Sequence, residues 1–292
     1  MKFNKIFWRL WTTSPQINYL ALRKKMRAYP ADGFQIKSRP NVFTLSTGRT
    51  GTLTLSRILA LSNECLVFHE PSPKLYGLSK LCYIKGQQAH FIDIFGEAFI
   101  STREFFLNLA AGLDKHYIET SPQATFLANA IHKVLPDAKF IHLVRDPREV
   151  VRSMMRRKWY GGNRYDKFRI SPKLGRPYHD KWPEMTIFEK NIWLWAETNR
   201  WIMDFTNTLP EKKKLFIKAE EVFSAKGDAL KRLFEFIDSP QPHRKKILKI
   251  LIKKLNRQLT GDFPDSTVWT SQMNDQMNLI AKPIALKLGY FL

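Results

Sequence analysis

Apolar residues along this chain recur in two registers. Short β-prone runs appear at Asn41 to Leu45, Cys65-Leu66-Val67-Phe68, Ala138 to Val144 and Lys214-Leu215-Phe216-Ile217, and His116-Tyr117-Ile118-Glu119-Thr120-Ser121-Pro122 reads as a brief strand closing on polar residues. Between them, apolar positions fall three and four apart, the spacing of a helix with one buried face. Such sets are Leu53, Ile58, Leu59 and Leu61; Leu127, Ala130, Ile131 and Val134; and Val150, Val151, Met154 and Met155, running on to Trp159. Residues 77–113 read as amphipathic helical segments with weak boundaries near Gly86 and Gly96. A long helix is predicted from Met185 to about Asn207, with Ile187, Trp193, Leu194, Trp201 and Ile202 as its core side. Further helices are predicted over Leu230 to Ile237, over 241–256 and over Met277 to Leu288. Alternating strands and helices predict an α/β fold of three layers, a mainly parallel sheet flanked by helices. Ala138 to Val144 is apolar enough to be its central strand. No internal repeat interrupts the pattern.

Residues 41–292 therefore read as a single domain, preceded by a basic helical extension over 1–40. Residues 160–185, rich in Gly, Pro, Tyr and Arg and without a period, read as a long functional loop. A 44% hydrophobic, 13% aromatic composition supports a buried core and argues against disorder. No run of about 18 apolar residues suggests a membrane-spanning helix. The N-terminal apolar stretch, broken by Lys5 and Arg9, is too short for a secretion signal. Cys65 and Cys82 lack metal-type spacing and read as buried thiols in a reducing, cytoplasmic compartment.

Charge changes the picture more. The formal net charge is +22, well beyond the roughly 2–8 units that solubility asks of a small domain. Nine Lys/Arg against one Asp give residues 1–40 a charge of +8. Thirteen against six give 145–190 a charge of +7, and nine against three give 241–292 a charge of +6. Such a field draws in an anionic substrate or an anionic surface. The cluster Arg23-Lys24-Lys25 with Arg27 is either a solvated helix face or a contact with lipid headgroups. No nucleic-acid partner is expected.

Candidate chemistry lies at the strand ends. Ser46-Thr47-Gly48-Arg49-Thr50-Gly51-Thr52-Leu53 joins a strand to a helix, the geometry in which backbone N–H groups converge on an anion. Gly48 and Gly51 are expected to let the backbone approach a ligand closely. Arg49 adds a planar fork of donors. The next strand delivers His69-Glu70-Pro71. Pro71 is expected to hold Glu70 extended, so that only one of His69 and Glu70 faces the site. Glu70 is the first candidate for a general base, His69 the second and His116 a distant third. Arg145, at the tip of the central strand, and Ser153, two helical turns on, are expected to reach one phosphate; the bland alternative is an Arg145–Glu149 ion pair. A magnesium nucleotide site is disfavoured, because the Walker pattern G-x-x-x-x-G-K-[ST] would place Thr52 at its Lys position.

Together these residues resemble the PAPS-dependent sulfotransferase family. Residues 46–52 resemble its 5′-phosphosulfate loop, and Arg145 with Ser153 resembles its 3′-phosphate site. Leu215 to Phe223, Leu233 to Ile237, Trp269-Thr270 and Leu288-Gly289-Tyr290 resemble its later elements. The resemblance spans residue 41 to the end. It implies a P-loop-like fold and sulfuryl transfer from PAPS, as co-substrate and without metal, to an acceptor hydroxyl or amine. The soluble phenol and steroid members carry a catalytic His where this chain has Glu119-Thr120-Ser121. Glu70 matches the base of the carbohydrate and tyrosylprotein types instead. Arg257 is the one remaining candidate for the soluble members' C-terminal phosphate contact. Charge favours an anionic saccharide, a glycolipid or a membrane-borne alcohol as acceptor, with peripheral membrane contact. The rival classes are a phosphotransferase and a non-catalytic protein that binds polyanions or membranes.

Overall fold

Each strand buries alternate residues on opposite faces, and the fold follows from covering both. The computed structural model describes residues 39–86, 88–225, 228–252 and 261–292. Within these, strands β1 (Val42–Leu45), β2 (Cys65–Phe68), β3 (His116–Glu119), β4 (Lys139–Val144) and β5 (Lys214–Lys218) form one sheet in the order β2-β3-β1-β4-β5. Every pairing is parallel. β1 is the middle strand and β4 lies beside it, paired from Val42 with Lys139 to Leu45 with His142.

The helices are α1 (Thr52–Leu59), α2 (Tyr76–Lys85), α3 (Ala89–Gly112), α4 (Ala128–Val134), α5 (Pro147–Met155), α6 (Ile187–Thr206), α7 (Ala219–Ser224), α8 (Ala229–Phe236), α9 (Arg244–Ile252) and α10 (Ser271–Lys287). On one face Phe43, Phe68, Tyr117 and Phe140 pack with Phe99 and Phe106 of α3 and with α4. On the other, Val42, Val67, Ile118, Ile141 and Ile217 pack with Leu55, Ile58 and Leu59 of α1 and Leu233 of α8. A third cluster joins α5, α6 and α10 around Trp195 and Met154. The two cysteines are buried free thiols.

Three expectations are corrected. Gly96 does not break the helical run, because α3 passes through it. A Cβ there would lie 2.5 Å from Val134 Cγ1, so the glycine lets α3 sit close against α4. The helix after β4 stops at Met155, because Lys158 and Tyr160 take positive φ values of 54° and 60° and fold the chain back. In α6, Ile187 sits in the first turn and is 41% exposed, whereas Trp195 is fully buried in its place. The helix starts two residues later than Met185 suggested, behind a capping box between Thr186 and Glu189. The expected extension over 1–40 lies, up to residue 38, outside the described residues, as does Arg257. Among the described residues no helix is long and apolar enough to cross a membrane.

Candidate active site

All five strands run the same way, so the loops that leave them meet at one edge of the sheet. There they line a cavity of about 1380 Å³. It opens at the carboxyl ends of β1, β2 and β4, and the chain order turns back on itself between β1 and β4, where open α/β sheets hold ligands.

The loop after β1 is wound tightly. Gly48, Arg49 and Gly51 have φ values of 78°, 61° and 93°, and the left-handed conformation of Arg49 costs free energy that its neighbours must offset. The Ser46 backbone N–H donates to Thr125 Oγ1 (3.0 Å), which donates back to the Ser46 carbonyl (3.0 Å). Ser46 Oγ accepts from the Gly48 N–H at 3.2 Å, so this side chain is engaged within its own loop. The reason for Gly51 differs from the expected one. A Cβ there would meet the Phe223 ring at 2.3 Å; the close approach is to α7, a packing contact within the protein. Gly51 also caps α1 without a side chain, and the first turn of α1 carries no acidic residue. The turn therefore keeps backbone N–H groups and a positive helix end toward the cavity. Ser46, Thr47, Gly48, Arg49, Gly51, Thr52 and Leu53 line it, while Thr50 is buried beneath.

The two arginines are brought together. Arg49 Nε donates to Ser153 Oγ at 3.0 Å. Arg145 Nη1 reaches the Arg49 carbonyl at 3.5 Å, and its Nη2 donates to Glu149 Oε2 at 2.9 Å. Arg145 thus pairs with Glu149 and also lines the same cavity as Arg49. Arg49, on the loop after β1, takes the Ser153 hydroxyl that was expected to act with Arg145. Burial, then Arg157 and Arg145, lower the Arg49 guanidinium to about 10, with Glu70 opposing them. It stays cationic at neutral pH. Crowded like charges in a partly buried site favour an anion between them. The remaining donors fit such a ligand. Arg152, which lines the cavity, has its Nε buried with no hydrogen-bond partner among the described residues. The surplus is of hard N–H donors, the set that suits phosphate or sulfate oxygens.

His69 and Glu70 both line the cavity, against the expectation that only one would. Glu70 is not extended before Pro71; its φ is 46°, so the strand alternation ends at Phe68 and the carboxylate swings toward the imidazole. His69 Nε2 and Glu70 Oε1 are 4.0 Å apart. Burial lowers the His69 pKa, so the ring is neutral at neutral pH, and we assign its Nδ1–H as donor to the Thr120 carbonyl at 2.9 Å. Lys74 Nζ donates to the Glu70 carbonyl and lies 3.4 Å from Oε2. Gln123 Nε2 reaches Oε2 at 3.5 Å while its Oε1 accepts the Leu75 N–H at 2.6 Å. Below this loop, fully buried Arg103 forks onto Glu119 at 2.8 and 3.1 Å and donates to the Pro73 carbonyl at 3.1 Å. His116 has no part in the site: it begins β3, at the far end of the strand, with Nδ1 3.0 Å from the Pro40 carbonyl.

Sequence reasoning passed over Gln123, Tyr76, Tyr165, Phe168 and Arg169, all of which line the cavity. The last three belong to the 160–185 loop, whose Gly-rich, aromatic and basic composition was the available signal. That loop is pinned: Asp166 Oδ2 accepts the Gly162 and Asn163 N–H groups, and Tyr160 donates to the Ile170 carbonyl at 2.5 Å.

A family model described as the sulfotransferase family matches residues 40–243. Among solved structures, the sulfotransferase domain from the curacin biosynthetic pathway superposes with a TM-score of 0.51 at 16% identity, covering 87% of this chain and 99% of that one. The sulfotransferase domain of the Synechococcus PCC 7002 olefin synthase gives 0.49 at 14%, covering 89% and 100%. A sulfotransferase from Alicyclobacillus acidocaldarius gives 0.47 at 13%, covering 87% and 97%. No curated protein matches the sequence.

Proposed function

The chain belongs to the sulfotransferase family, and from that premise we propose that it moves a sulfuryl group from PAPS to an acceptor hydroxyl or amine with Glu70 as base. The observation that supports this most is the meeting of Arg49, Arg145 and the uncapped start of α1 over the cavity that Glu70 also lines. In this reading Arg49, Thr47, Leu53 and the N–H groups of Thr50, Gly51 and Thr52 hold the 5′-phosphosulfate, and Arg145 and Ser153 hold the 3′-phosphate. The acceptor oxygen or nitrogen attacks sulfur in line, forming one bond to sulfur. The bond from sulfur to the bridging oxygen of the 5′-phosphate breaks. The acceptor proton passes to Glu70 and adenosine 3′,5′-bisphosphate departs. Charge gathers on the bridging oxygen as that bond lengthens. In this reading Arg49 and the loop N–H groups face that oxygen, and such fixed donors stabilise a transition state without reorganising.

Residues 41–292 act as one catalytic domain in this proposal, with the 160–185 loop over the acceptor and the basic 1–40 segment as an extension suited to an anionic membrane face. The free, buried cysteines accord with a cytoplasmic setting. Calorimetry with adenosine 3′,5′-bisphosphate tests the donor site. One mole should bind per mole of protein, and Arg145→Ala should weaken it at least about tenfold, the value of one charge-assisted contact. A folded protein that takes up no bisphosphate refutes the reading.

A further inference from the structure

Beyond Glu70 the cavity changes character. Tyr76 of α2 stands 4.9 Å from Tyr165 and 6.0 Å, nearly parallel at 19°, from Phe168, centroid to centroid. The Arg169 guanidinium lies 3.7 Å from the Trp159 ring centroid, and its Nε donates to Asp166 Oδ1 at 2.8 Å. Trp159 lies beside the donor loop, its Cη2 3.4 Å from where a Gly48 Cβ would stand. Trp159 therefore bridges the donor loop and Arg169. Lys80 lines the same wall, held by its bond to the Lys167 carbonyl at 2.9 Å.

Resting on the transfer reading above, we infer that the acceptor is a ring compound that already bears an anionic group, such as an acidic or previously sulfated sugar. Tyr76, Tyr165 and Phe168 pack together, with Arg164 over Tyr165 and Lys167 over Phe168, into an aromatic wall of the cavity whose remaining edges and faces suit a ring. Arg169 suits the charge. Stacking on Trp159 and the single bond to Asp166 hold its plane rigid. A fork held in this way loses little entropy on taking up a carboxylate or sulfate. Among the described residues Asp166 is its one acidic ion-pair partner, and it engages Nε alone. The carboxylates that line the cavity are engaged elsewhere: Glu70 with Lys74 and Gln123, Glu149 on Arg145, and Glu220 on Tyr290 and the Asp146 N–H. The bland alternative, that Arg169 only anchors the loop, predicts no effect of acceptor charge.

The test uses the full chain with PAPS and two matched acceptor pairs, methyl glucoside against methyl glucuronide and phenol against 4-hydroxybenzoate, with products resolved by mass. The charged member of at least one pair should be preferred about tenfold or more in kcat/KM, and the responding pair tells a sugar from an arene. Arg169→Gln should bring that ratio close to one while bisphosphate binding stays unchanged. Lys80→Ala should lower it less, and it carries the test if Arg169→Gln fails to fold. A wild-type protein that binds no bisphosphate refutes the transfer reading itself. One that binds it yet sulfates only neutral members or none, or whose preference survives in both variants, overturns this inference alone.

Discussion

Glu70 shows what a single residue can and cannot reveal in advance. Its neighbours His69 and Pro71 marked it as the end of a strand beside the anion loop. Its left-handed backbone, with φ of 46°, depends on Lys74, Gln123 and the Arg103–Pro73 bond, partners up to 53 positions away. With the carboxylate held over the cavity, Glu70→Gln keeps the shape and removes the proton acceptor. Turnover should fall by about 10² to 10⁴, the usual range for a general base, while the bisphosphate dissociation constant stays within about threefold. A kcat within threefold of wild type would return the role to His69. Gly51 makes a related point. The glycine was legible in the loop, but the Phe223 ring that demands it stands 172 positions along the chain and left no local mark.

At the scale of elements, strands and long helices were read well because burial imposes a period on them. β2 matches its apolar run residue for residue, β3 takes the first four residues of its predicted stretch, and the Thr186–Glu189 capping box marks the start of α6. Gly96 was misread because glycine usually weakens a helix interior. Here close packing outweighs propensity. Gly96→Ala should therefore destabilise the protein, despite roughly 1 kcal/mol of better helix propensity. The new methyl group would sit 2.5 Å from Val134 Cγ1, and overpacking costs about 1–3 kcal/mol. A denaturation midpoint raised by the substitution would show that α3 and α4 have room to spare. The early stop of α5 at Met155 has the same lesson in reverse: folding back at Lys158 and Tyr160 brings Trp159 onto the cavity and under Arg169.

For the whole molecule, the buried sheet carries a pH dependence of its own. His142 on β4 is 3% exposed, pairs through Nε2 with Asn199 Oδ1 at 2.9 Å, and is lowered by burial to about 4. Above pH 6.5 it is neutral whether folded or not and costs nothing. As pH falls from 6.5 toward 4 the unfolded chain takes up a proton that the folded one refuses, so stability is lost across that window. A shift from 6.5 to about 4 corresponds to about 3 kcal/mol. Urea unfolding at pH 7.5 and pH 4.5 should show this loss, and His142→Gln should flatten it. An unchanged slope in the variant would assign the acid sensitivity to other groups.

Much of this protein was legible in its sequence: an α/β chain with its strands in these places, a glycine-bearing loop between β1 and α1, and a strongly basic character. Periodicity and charge are local or additive properties, and a one-dimensional reading recovers them. Which strands become neighbours is not local. The order β2-β3-β1-β4-β5 sets β4 against β1, so Arg145 comes to rest on the carbonyl of Arg49, 96 positions away. The loop after β1 and the tip of β4 thereby line one cavity. The same folding draws the 160–185 loop across α2 and stacks Tyr165 and Phe168 on Tyr76. Only packing of the whole chain decides such contacts, because each depends on the combined burial of segments that carry no mark of one another.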